Sequence, residues 1–209
     1  MNNSEFNVLL NQIFKDSVDI GFPNDVSATA SVTFMSRLFE NPTAYLSSFS
    51  RAQIAAGLEY IVRAAGSEMP LALLEPEVPL AERLICCAHV ENIFKQIFAA
   101  YCRAALVHTA ATNDEMNISC FLWWEQFPTF FHLRTSDGDA LQAEREKVMR
   151  GILKIDSLAC RESVIHGFGH LLEDRRPVAE TMLNQCAMDS ALAPELRDYA
   201  RSILCGGRV

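Results

Sequence analysis

No stretch of four or more residues alternates apolar and polar side chains convincingly, so the chain offers no strand and an all-α fold is expected. None of the seven cysteines, Cys86, Cys87, Cys102, Cys120, Cys160, Cys186 and Cys205, stands in a C-x-x-C pair, which argues against a structural zinc site. Their odd number and their place within apolar helical patterns read instead as buried thiols in a reducing compartment. Basic excess is lacking too. Residues 1–105 carry 7 basic and 11 acidic groups and residues 106–209 carry 11 and 15, for a net charge of −8, so binding to nucleic acid through phosphates is disfavoured. The longest apolar stretch, Leu80 to Val107, is interrupted by Glu82, Arg83, His89, Glu91, Lys95 and Arg103, which excludes it as a membrane span. The first residues, MNNSEFNVLL, contain no basic region followed by an apolar core, so no signal peptide is expected and the cytoplasm is the expected location.

What is present is a loose internal repeat. SRAQIAAGLEYIV, from Ser50, aligns without a gap with CRESVIHGFGHLL, from Cys160. Arg51 matches Arg161 and Gly57 matches Gly167, while Ile54, Leu58, Ile61 and Val62 match Val164, Phe168, Leu171 and Leu172. Both apolar sets follow the i, i+4, i+7, i+8 rhythm of a helix with one buried face, and a repeated unit of that kind needs a neighbour to cover it.

Punctuation places the other helices. Ser4 opens one to about Phe14; the turn GFPND leads into a second, from Asp25 to Phe39, ended at Asn41-Pro42. A short helical turn spans Ala44 to Phe49, Ser50 caps the first repeat copy, and Gly66 stops it. Pro70, Pro76 and Pro79 make the clearest irregular connection, with a short helix at Leu71 to Leu74, and leave possible halves 1–66 and 79–209 within a single 1–209 domain. From Leu80 the apolar pattern runs to His108, a central helix of roughly 30 residues and about 45 Å. After an aromatic segment, FLWWEQFPTFFHL, the turn TSDGD precedes a helix from Ala140 to Lys154. Helices then follow at Ser157 to Leu172, Pro177 to Asp189 and Pro194 to Leu204.

The segments LACRESVIHGFGHLL and LAPELRDYARSIL resemble the HEAT-type repeats of α-solenoid proteins, with Ala159, Arg161, Gly167 and Gly169, and Ala193, Arg197 and Ala200, at comparable places. The resemblance covers residues 139–209 and, more faintly, 42–66. The long central helix and the aromatic segment do not fit a period of about 40 residues, so the expectation is a compact multi-helix domain with solenoid-like hairpins. The resemblance implies a non-enzymatic protein-binding scaffold. One concrete form is a bacterial-type immunity or antitoxin-like inhibitor of a basic toxin or effector, to which the acidic surface is suited; association with a second copy is equally open. No cofactor is implied.

Adjacent tryptophans on a helix point in different directions, so Trp123 and Trp124 are not expected both to enter one core. The group Trp123, Trp124 and Glu125 is therefore the leading contact surface. Asp137, Asp139, Glu173 and Asp174 read as caps and solvated helix ends that can also meet a basic partner. The alternative function is a metal- or small-ligand-binding, hydrolase-like protein using His166 and His170, which stand i, i+4 on one helix face, with Glu173 or Asp174 as a third ligand. Gly167 stands where the motif H-E-x-x-H has its general base, and this favours structural histidines held beside a closely packed helix. Cys86-Cys87 with His89 reads as buried thiols rather than as a nucleophile and its base.

Overall fold

Ser50 and Ser157 cap helices, and Pro79 and Pro194 stand at the start of others, where the sequence places them. The first helix instead begins at Asn3 with Asn2 rather than Ser4 as its cap, and the second begins at Ala28 with Ser27 as its cap. In a computed structural model, which describes residues 1–15, 26–63, 68–127, 136–173 and 176–207, the described residues form helices and irregular connections and contain no strand. The turn at residues 21–25, the stop at Gly66, Pro128, Phe130, Phe131, Asp174 and Arg175 lie outside the described residues.

The N-terminal part holds α1 (Asn3–Lys15), α2 (Ala28–Glu40), α3 (Pro42–Leu46) and α4 (Arg51–Val62), followed by a 3-10 turn at Pro70–Leu74. Ser50 begins α4 with a reciprocal capping box: its hydroxyl accepts from Gln53 N and the Gln53 side chain accepts from Ser50 N. Next come α5 (Leu80–Ile93), a π-helical turn at Phe94–Phe98 and α6 (Ala99–Tyr101), which run on without a break. The helix therefore ends at Tyr101, seven residues before the expected His108. Asn117, fully buried, explains the difference. Its carboxamide accepts from Arg103 N at 2.9 Å and donates to Arg103 O and Ala105 O, both at 3.0 Å, so the backbone after Tyr101 finds partners outside a helix.

Two short helices follow, α7 (Glu115–Phe121) and α8 (Trp123–Gln126), then α9 (Ser136–Ile152), α10 (Leu158–His170), α11 (Arg176–Met188) and α12 (Pro194–Leu204). Ser136 to Asp139, expected as part of a turn, are instead the first turn of α9, which places Asp137 and Asp139 against the positive end of the helix dipole. Helix α5 packs on α2 and on α9, while α7 lies against both α4 and α10. One hydrophobic cluster runs from Phe6 in α1 to Ile203 in α12. No helix among the described residues is long and apolar enough to cross a membrane.

Two pairs of the matched residues make contacts of the same kind, to different parts of the chain. A Cβ added to Gly57 would stand 2.3 Å from the Phe14 ring, and one added to Gly167 would stand 2.6 Å from Trp124 Cβ. Each glycine thus admits an aromatic residue of another helix to its backbone. The matched arginines also act alike: Arg51 Nε donates to Tyr101 O at 2.9 Å, and Arg161 Nε donates to Leu153 O at 3.3 Å. Arg51 further holds Asp114, the cap of α7, whose carboxyl is kept below its ordinary value by that guanidinium.

Trp123 and Trp124 are each only 1% exposed, which corrects the expectation that one of them reaches the surface. Their side chains do diverge, but α8 is a four-residue helix lodged among other elements, so protein lies on both sides of it. Trp123 meets Phe39, Phe94 and Phe98 edge-on, and Trp124 stacks on Phe94 with ring centres 5.6 Å apart. Five of the seven cysteines are buried as expected, but Cys102 is only partly buried and Cys205, just past the end of α12, is exposed. Burial pushes Cys86 well above its ordinary value and Cys87 up to about 12, so neither supplies a thiolate at neutral pH.

Candidate metal centre

Gly167 is the origin of this site. By letting Trp124 approach the backbone of α10, it brings the next residue of α8, Glu125, beside the last two turns of α10. His166 and His170, spaced i, i+4, already share that face. The three residues offer ligand atoms that all lie within 4.8 Å of one another. His166 Nε2 is 3.2 Å from His170 Nε2, and the Glu125 carboxylate lies 3.6 Å from the first and 3.9 Å from the second. A tetrahedral metal with bonds of about 2.1 Å separates its ligands by about 3.4 Å, close to these spacings.

The support around His166 is dense. Its ring is 3% exposed, stacks on Phe121 with centres 3.9 Å apart, and makes a 2.9 Å hydrogen bond between Nδ1 and the Tyr199 hydroxyl. In the tautomer that donates from Nδ1, the Nε2 lone pair faces His170 and Glu125. Tyr199 stacks on His108 with centres 4.0 Å apart, and His108 Nδ1 bonds Glu162 at 2.6 Å. Glu162 is fully buried and also accepts the backbone N–H groups of Val107 and His108. On the other side, buried Arg145 donates to Trp124 O at 2.9 Å and so fixes the backbone that carries Glu125.

Electrostatics keep the imidazoles neutral, the form that ligates metals. Burial, with smaller contributions from His170 and His108, lowers His166 from 6.5 to about 3; burial also lowers His170, against the opposing pull of Glu125. Arg145, lowered to about 10 by burial, remains a cation at neutral pH.

Of the residues singled out in the sequence, three converge here: His166, His170 and Glu125, the last expected at a protein contact surface. Glu173 is exposed and acts on His170 through its charge, while Glu125 takes the place expected for it or Asp174 as the third group of the cluster. Asp137 stands apart, paired with buried Arg83 at 2.6 Å. Sequence spacing missed the role of Glu125, Tyr199, His108 and Glu162, because four separate elements bring them together. The repeat carried one usable signal, Gly167, which marks where a second helix approaches His166. Comparison of the chain with protein-family models, with curated proteins and with solved structures gave no match.

Proposed function

We propose that the protein binds a divalent transition metal, zinc being the best match, through His166 Nε2, His170 Nε2 and a Glu125 carboxylate oxygen. The observation that carries this reading is the mutual spacing of those three ligand atoms, all within 4.8 Å. Two imidazoles and a carboxylate suit zinc in chemistry and number, and three protein ligands leave a fourth position for water or an exogenous ligand. That position opens toward solvent on the side of Glu125, 48% exposed, and His170, 33% exposed. Gly167 supplies no carboxylate where hydrolases carry their base, so the reading is of a metal-binding protein whose metal keeps one exchangeable site.

Zinc added to chelator-stripped protein is expected to bind one ion per chain and to raise the unfolding free energy by about 2.7 kcal/mol at a hundredfold excess over Kd. The double substitution His166→Ala, His170→Ala abolishes both effects. Because the folded histidines resist protonation, uptake should persist at pH values below 6.5, where an exposed pair would already lose its metal to protons. Absence of stoichiometric binding, or binding that survives the double substitution, overturns the reading.

A second reading, a helical scaffold that binds a basic protein in the manner of an immunity or antitoxin-like inhibitor, is supported by the groove where α2 meets α5. There Glu40 and Glu82 stand beside Ile85, an isoleucine 50% exposed, with a single cation, Arg37, that lies over the Phe6 ring and donates to the Tyr45 hydroxyl, on a chain of net charge −8. The substitutions Ile85→Ser, Glu40→Gln and Glu82→Gln together should leave the melting temperature unchanged while releasing a basic partner captured at moderate salt. Capture that is indifferent to them counts against this surface.

A further inference from the structure

At the end of the molecule where α9 turns into α10 and α11 turns into α12, a pocket carries a charge opposite to that of the chain as a whole. Arg150, Lys154 and Arg161 line it against a single carboxylate, Asp189, so a site with three cations and one acid sits in a protein of net charge −8. Beneath these groups lie Met182 and Leu192, 4% and 6% exposed, which give the pocket an apolar floor.

The cations are poorly compensated. Arg150 Nη1 lies 2.6 Å from Met182 Sδ, a weak acceptor, and neither Arg150 nor Lys154 forms an ion pair among the described residues. Arg161 donates from Nε to Leu153 O and meets Asp156 at 3.3 Å, but the Asp156 side chain is fully exposed and water screens that pair. Asp189 accepts from Ala191 N at 2.8 Å and keeps its charge, so the three cations and one carboxylate of the lining leave a positive excess. Two guanidinium groups and an ammonium around an apolar floor match a doubly charged oxyanion that carries a short apolar body.

We infer that this pocket binds a small phosphate monoester, its phosphate held by Arg150, Lys154 and Arg161 and its organic group resting on Met182 and Leu192. The site is separate from the proposed metal centre, and the experiment keeps the two apart by stripping the protein with EDTA and then removing the chelator, itself a competing polyanion, by gel filtration into metal-free buffer, so that no metal at His166 can hold the phosphate. Butyl phosphate, inorganic phosphate and butanol are titrated by calorimetry into the full chain, against potassium chloride at matched ionic strength.

Butyl phosphate should bind saturably at one per chain, inorganic phosphate about tenfold more weakly for want of the apolar contact, and butanol not measurably. Replacing both exposed cations, Arg150→Gln with Lys154→Gln, should weaken butyl phosphate at least tenfold and leave the circular dichroism spectrum unchanged. No saturable heat from butyl phosphate, or equal binding by the double variant, overturns the inference.

Discussion

Trp124→Ala is expected to destabilise the protein by about 3–5 kcal/mol, as truncation of a buried tryptophan generally does. The indole is 1% exposed, stacks on Phe94 and lies beneath the Arg145 guanidinium, whose carbon is 5.5 Å from the ring centre. Removing it leaves a cavity and strips one face from a buried cation, so the loss has a packing part and an electrostatic part. Trp124→Phe keeps a ring against Phe94 and should lose less than half as much. Urea denaturation followed by circular dichroism measures both. Metal uptake should weaken with stability in the alanine variant, because α8 also carries Glu125. If Trp124→Ala unfolds within 1 kcal/mol of wild type, the indole does not do the packing described and the contact-surface expectation regains its ground.

That expectation failed for a reason that sequence pattern cannot reach. Divergence of Trp123 and Trp124 follows from helical geometry and was legible; that both directions meet protein depends on α8 being only four residues long and lying between α4 and α10. Local chemistry was read well by contrast. Ser50 and Ser157 cap their helices through N–H groups three residues on, and Pro194 occupies the first turn of α12. The all-helical class followed from such signals and from the 3.6-residue period. The end of the central helix did not, since it is set by Asn117, whose carboxamide competes for backbone groups 12 and 14 residues earlier. The candidate site divides in the same way. His166 and His170 share a face by spacing alone, whereas Glu125, far from both along the chain, reaches them through the close approach at Gly167.

Glu162→Ala is the other change with a large expected effect, about 3–5 kcal/mol, because three donors lose their buried acceptor at about 1–3 kcal/mol each. The carboxylate accepts from Val107 N at 3.1 Å, from His108 N at 2.8 Å and from His108 Nδ1 at 2.6 Å. Alanine leaves three donors in a part-buried region without their acceptor. Glutamine is no substitute, because its NH2 group presents donors to donors at one of the two oxygen positions. For a chain of this length the loss corresponds to a fall in melting temperature of roughly 10 °C. A double-mutant cycle with His108→Ala separates the side-chain pair from the backbone contacts: if the pair carries part of the loss, the two substitutions together cost less than their sum. The same cycle tests the link to the proposed metal centre. His108 stacks on Tyr199, and Tyr199 holds Nδ1 of His166, so loosening the Glu162 anchor should lower zinc affinity while all three metal ligands remain in place. Unchanged affinity in a destabilised Glu162→Ala protein would confine Glu162 to holding the 102–114 connection against α10.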